Sequence, residues 1–341
     1  MKNRQIYPLI LGLASILIGL SCKNELVTIE GGKETPVVYG ILSIADSATY
    51  IRVEKAFSDP ARNAFEVAQI ADSLYYSDAK VFLVRKKNLN DRFELTQVDG
   101  NTEGYPRKDG IFAKAPNRMY KIKTSLLNLK PDENWRIEVT RKGKIIVDEL
   151  TEVVGQYALI APVAKTLFFR LDNQFAINIQ TDEEEQTGRI YEANVILNLD
   201  ETLNGKTESK KLVWPFDLLD VRKKLGSGGK FDSNIGFQKR AKEFYDFLGL
   251  NLQPVTGISR TIKSIDLEVL VGGQEFIDYR TRFNSNSGIT GSQTILNYTN
   301  KGGSLGFISS RNRVLAKDYI LSNETLEAIK NNELTKNLGF K

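Results

Sequence analysis

The 341-residue chain contains no histidine, one cysteine, two methionines and two tryptophans. Without histidine, neither a Ser-His-Asp triad nor an imidazole metal site can be assembled within it. With Cys22 alone, an internal disulfide and a thiolate-ligated zinc site are excluded as well. Charge of neither sign dominates: 47 basic against 42 acidic residues give a formal net charge of +5. No concentrated basic stripe of the kind that binds nucleic acid accompanies that excess. "RKK" at 85–87 and again at 222–224 reads as two solvated turns. No nucleotide or metal motif is complete, so no cofactor is expected.

What is present begins at the N-terminus. Lys2 and Arg4 precede an apolar run from Ile6 to Leu20. The run is shorter than the roughly 20 residues that span a bilayer as a helix, and it has the form of a signal-peptide core. It ends in "GLSC" (19–22), which resembles the lipobox of bacterial lipoproteins, with Gly19 where that motif carries Leu or Val. The resemblance implies a signal peptide at 1–21, cleavage before Cys22 and lipid on its sulfur, an anchor of two or three acyl chains that holds where one does not. Lys23, not Asp, follows the cysteine, which in such proteins implies the outer membrane. "CKNE" offers only Glu25 as an acid, so the periplasmic and surface faces both stay open. The polar stretch 22–35 reads as a tether.

From Pro36 onward the pattern is that of strands. "VVYGIL" (37–42), "YIRVEKAF" (50–57), "AKVFLVRK" (79–86), "RFELTQV" (92–98) and "RMYKIKT" (118–124) are rich in β-branched and aromatic residues. Trp135, Ile137 and Val139 alternate with Arg136, Glu138 and Thr140, and "KIIVDEL" (144–150) follows beyond a Gly143 turn as a hairpin partner. One short helix or loop is expected at 62–72. Short strands at this spacing predict a mainly β fold whose N-terminal unit, 36–155, is an immunoglobulin or fibronectin-III-like sandwich. A burial of Trp135 follows from its place in the alternation.

A β-rich second unit, 156–341, is expected with a few inserted helices. "TLFFRLD", "QFAINIQT" and "RIYEANVILNLDE" read as strands, the last with Tyr191, Ala193, Val195, Leu197 and Leu199 on one face. Helical spacing of Phe237, Ala241, Phe244, Tyr245 and Leu248 predicts a helix over 237–248 that Gly249 ends. A strand at 264–272, a helix at 274–283, a loop at 284–293, a strand at 305–309 and a helix from Asn323 complete the unit.

Candidate chemistry is thin. "GGSLG" (302–306) matches G-x-S-x-G with Ser304 as the nucleophile, but its usual base is missing, and only Lys301 or Lys317 is left to replace it. "GSGGK" (226–230) lacks the Ser or Thr and the first glycine of a phosphate loop. The acidic "DEEE" (182–185) is a charged hairpin tip, with calcium binding as its alternative reading. These residues indicate no enzyme.

"PVVYGILSIADSATYIRVEKAF" (36–57) and "YTNKGGSLGFISSR" (298–311) resemble the two end motifs of a Bacteroidota outer-membrane lipoprotein family that carries a domain of unknown function. The resemblance implies an envelope lipoprotein, in some cases associated with TonB-dependent transport. A non-catalytic binding or accessory subunit of an outer-membrane complex is therefore expected. Direct capture of glycan or peptide is the alternative, and a carboxylate-based hydrolase the remote one. The helix at 274–283 offers Tyr279, Arg280, Arg282 and Phe283, residue types enriched in interface hot spots, as the partner surface.

Overall fold

Alternating apolar residues become paired strands along most of the chain. The computed structural model describes residues 34–56, 63–181, 187–220, 234–285, 298–300 and 302–341. Strands β1 (Thr35–Leu42), β2 (Ala48–Ala56), β3 (Lys80–Arg85), β4 (Arg92–Glu94), β5 (Thr96–Asp99), β6 (Arg118–Lys123), β7 (Asn134–Arg141) and β8 (Lys144–Glu152) make the first half. The second half holds β9 (Ala158–Ala161), β10 (Thr166–Leu167), β11 (Gln174–Gln180), β12 (Ile190–Leu203), β13 (Lys206–Pro215), β14 (Leu219–Asp220), β15 (Asn234–Arg240), β16 (Ser259–Gly272) and β17 (Leu305–Leu321). Helices are short: α1 (Ala64–Ala68), α2 (Ala71–Leu74), α3 (Thr124–Leu127), α4 (Lys242–Asn251), α5 (Gln274–Ser285) and α6 (Asn323–Asn331). The fold is mainly β, and no helix among the described residues is long and apolar enough to cross a membrane.

Three sheets form among the described residues. One runs β13-β12-β16-β17-β1-β2-β6-β5, with β10 and β14 attached at its side; the others are β4-β3-β7-β8 and β15-β11-β9. Val38, Ile51, Tyr120 and Ile308 of the long sheet share one apolar cluster with Leu83, Trp135, Ile137 and Val147 of the four-stranded sheet. A second cluster joins Tyr191, Val195, Leu267 and Val269 of the long sheet to Ile177 and Phe237 of the three-stranded sheet and to Phe244 and Leu248 of α4. The clusters meet at one peptide: Val153 is buried in the first and Val154 in the second.

Strand β17 ties the halves together. Its first six residues pair in parallel with β1, from Val37↔Leu305 to Leu42↔Ser310. Beyond them it pairs antiparallel with β16, from Gly272↔Arg311 to Ile265↔Tyr319. The two segments that carry the family resemblance therefore lie side by side. Gly306 permits the contact: its φ is 109°, and a Cβ there would lie 2.1 Å from the carbonyl oxygen of Val38. Ser310 Oγ accepts the Val154 N–H at 2.8 Å, which fixes β17 at the meeting point of the clusters.

Several local expectations need correction. The run 92–98 is not one strand: Leu95 is buried and donates its N–H to Val81, so β4 joins the four-stranded sheet and β5 the long one. The helix predicted from Phe237 starts at Lys242, because Phe237 pairs with Ile177 across β11 and reaches the core from a strand. That helix also runs past Gly249 to Asn251; the glycine instead admits Leu334, whose carbonyl oxygen would lie 3.1 Å from a Cβ. Strand β17 extends to Leu321, far beyond 305–309. Arg85 of the first "RKK" is no solvated residue, since it bonds Asp91, Glu133 and the Leu127 carbonyl and lies over the Trp135 ring.

Candidate functional site

Alternation along β17 sends Ile308 into the first cluster and Val314 and Ala316 against the second. Phe307, Ser309 and Arg311 consequently face the other side of the long sheet. Tyr39 and Ile41 of β1 and Tyr50 and Arg52 of β2 share that side by the same rule, since Val38, Leu42, Ile51 and Val53 are in the core.

Helix α5 lies on this open face. Its start is fixed by two contacts with β17: the Gly273 N–H donates to Ser310 O at 3.0 Å, and Ser309 Oγ donates to the buried Glu275 carboxylate at 3.0 Å. Glu275 in the first turn and Arg282 in the last both suit the helix dipole. Three residues apart, Phe276 and Tyr279 fall on one face. Their rings meet Phe307 at centroid separations of 4.9 and 5.2 Å, and Tyr298 completes the group at 5.5 Å from Tyr279 and 5.6 Å from Phe307. The Arg282 guanidinium lies 5.2 Å from the Tyr298 ring centre. Burial, together with the nearby Asp278 and Glu275, pushes the Tyr298 phenol up to about 12, so it stays a neutral hydroxyl at physiological pH.

Beside α5 runs a trough made of two depressions that share Ile41 and Arg311. The first, about 300 Å³, is lined by Tyr39, Tyr50, Tyr105 and Arg52. The second, about 330 Å³, has an aliphatic floor of Ile41, Ile190, Leu218 and Leu270, with Phe276, Tyr279 and Arg280 on its wall. Tyr39, Tyr105 and Tyr279 are 46, 51 and 37% exposed, so their rings are available to a ligand. Tyr50 packs against Tyr105 with its ring tilted by 58° at a centroid separation of 4.9 Å, and donates to Glu103 at 2.8 Å. Burial raises the Tyr39 phenol above its ordinary value, with the Glu54 carboxylate adding to the rise. Arg311 pairs with Asp46 at 3.1 Å. This lining offers ring faces, apolar floor and guanidinium groups, which suits recognition more than bond-breaking.

The predicted partner residues thus separate. Tyr279 and Arg280 line the second depression, while Arg282 belongs with Tyr298 to a different hollow across the helix. The Phe283 side chain lies outside the described residues, as do Cys22, "DEEE" at 182–185, the basic run 222–224, "GSGGK" at 226–230, Lys301 and the loop 284–293 from residue 286 onward. Ser304 is held in the structure by a carboxylate: its hydroxyl donates to Glu149 at 2.6 Å. Lys317 sits thirteen residues further along the extended chain, roughly 40 Å away at strand rise, so the two form no Ser-Lys pair. Sequence reasoning missed Tyr39, Tyr50, Tyr105 and Arg311 as one surface, although the alternation in β1 and β2 was the signal for the first two.

No family model and no curated protein matches the chain. Among solved structures it is similar to a chain from a cytokine receptor complex, at 6% identity and a TM-score of 0.21, with 84% of this chain and 99% of that one covered. A score this low carries no argument about fold or function.

Proposed function

We propose that this chain is a lipid-anchored outer-membrane lipoprotein, a non-catalytic binding or accessory subunit of an envelope complex such as a TonB-dependent transport system. Cys22 is its lipidated residue and the trough along α5 its recognition surface. The observation that carries the reading is this trough, where exposed tyrosines and arginines gather on the face of the sheet opposite the cores. Support also comes from the chain's lack of histidine and from Ser304, whose hydroxyl is engaged by Glu149. The N-terminal unit is an immunoglobulin-like sandwich in this reading. Strands β1-β2-β6-β5 follow the A-B-E-D order and β4-β3-β7-β8 the C′-C-F-G order of that fold.

The exposed rings of Tyr39, Tyr105 and Tyr279 favour a second reading, direct capture of a glycan or peptide, through the same surface. Photocrosslinking in intact cells tests the first. With benzoylphenylalanine in place of Tyr279 or Tyr39, a discrete adduct with an outer-membrane protein is expected, and none when it replaces the exposed Leu250 far from the trough. The Cys22→Ala variant should leave the membrane fraction and lose the adduct. Absence of any protein adduct, or a Cys22→Ala variant still sedimenting with membranes at high salt, would overturn the proposal.

A further inference from the structure

Arg280 projects from α5 onto the wall of the aliphatic depression, half-buried. Among the described residues no carboxylate or carbonyl forms an ion pair or hydrogen bond with it. Every other arginine of this face has a fixed partner: Arg52 holds Glu54 at 3.3 Å, and Arg311 holds Asp46 at 3.1 Å. Glu192, the carboxylate on the same lining, accepts the Asn194 amide at 3.1 Å. A guanidinium drawn out of water beside Ile190, Leu218 and Leu270 loses hydration that an ion partner normally replaces, and a planar bidentate carboxylate is the partner its geometry suits. Sugar hydroxyls laid on that aliphatic floor would lose water, and the one carboxylate on the lining, Glu192, is already engaged by Asn194. A leucine, isoleucine or phenylalanine side chain loses nothing there, and a depression of about 330 Å³ holds one.

The geometry points to a peptide segment of a protein partner, one bearing a large apolar residue beside an Asp or Glu, as the ligand of this depression. The apolar side chain seats on Ile41, Ile190 and Leu270, and the neighbouring carboxylate pairs with Arg280. The assignment rests on the reading above, in which the chain binds a partner, and names the chemistry of that partner.

The test uses the full lipidated chain in detergent micelles against a phage-displayed random heptapeptide library, with an oligosaccharide array in parallel. Enriched peptides are expected to carry an acid within two residues of a large apolar residue. A synthesised winner should bind Arg280→Gln at least tenfold more weakly than the parent. Its Asp→Asn or Glu→Gln counterpart should lose as much against the parent and nothing further against Arg280→Gln. Thermal unfolding checks that Arg280→Gln is folded; Arg280→Lys, if folded, should recover part of the binding. Enrichment without acids, no enrichment, unchanged binding by Arg280→Gln, or binding to oligosaccharides in place of peptides overturns the assignment. If the crosslink to an outer-membrane protein persists in that event, only the ligand chemistry falls; if the crosslink is also absent, the partner-binding reading falls with it.

Discussion

Glu149 of β8 and Ser304 just before β17 are 155 positions apart, yet the Ser304 hydroxyl donates to the Glu149 carboxylate at 2.6 Å. The Ser304 N–H donates to the same oxygen at 2.8 Å, and the Gly302 N–H donates to the other. Glu149 is 1% exposed, so its charge is stabilised by these three donors and not by water. Asn300 closes the loop from within, donating to Ser304 Oγ at 3.0 Å and accepting the Ile308 N–H at 2.9 Å. The serine in the G-x-S-x-G match is thus part of a clamp that docks the start of β17 on the N-terminal sandwich.

The clamp ranks its own substitutions. Glu149→Ala removes the acceptor for two backbone N–H groups and a hydroxyl and should cost about 3 kcal/mol, whereas Ser304→Ala removes one hydroxyl that donates to Glu149 and accepts from Asn300 and should cost about 1 kcal/mol. Urea unfolding followed by far-UV circular dichroism measures both; a larger loss for Ser304→Ala would reverse the ranking.

Gly306→Ala sets a methyl group against the Val38 carbonyl at a backbone angle that side chains avoid. A loss of about 3 kcal/mol is expected, at the upper end for one strained residue. A thermal midpoint equal to that of the parent would contradict the parallel pairing of β1 with β17.

Trp135 is fully buried between the sandwich sheets, with Phe93 at 6.0 Å and the Arg85 guanidinium 4.6 Å from its ring. Trp135→Ala should destabilise by about 3–5 kcal/mol, as large-to-small core changes do. Calorimetry checks this, and a cost under about 1 kcal/mol would place the ring outside the core.

Glu201 pairs with Arg260 at 2.6 Å and also with Lys210, and both Glu201 and Arg260 are buried. Burial alone would raise the Glu201 carboxyl, but the hydrogen bonds from Lys210 and Arg260 outweigh it and hold the group below the ordinary range. A carboxyl depressed in the folded state stabilises at pH values above the unfolded value of about 4.3, and that contribution is lost as pH falls through the folded one. Glu201→Gln should therefore melt well below the parent at pH 6, and the gap should close toward pH 3. A gap that widens on acidification would give the pair the wrong sign.

Local pattern was legible wherever one face of a strand is buried and the other wet. The hairpin of β7 and β8 and the inward set from Tyr191 to Leu199 were readable for that reason. The hairpin of β12 and β13 was overlooked although Asn204 and Gly205 announce it, with φ of 52° and 78° as a type I′ turn requires. Strand β13 is exposed along most of its length, so its residues "KTESKK" carry little apolar signal.

By itself the sequence determined the mainly β class, the inward residues of β12 and the exclusion of histidine chemistry and of an internal disulfide, because these depend on residue type and on a period of two. Tertiary structure alone decided that the two end motifs are neighbours, that Phe237 belongs to a strand, and that Tyr39, Tyr105, Tyr279 and Arg280 border one trough. Those relationships come from pairing between segments far apart in the chain, 60 residues for Ile177 with Phe237 and 268 for Val38 with Gly306. Pairing of that kind is set by which complete arrangement buries the most apolar surface with every backbone group bonded, a property of the whole chain that no local window contains.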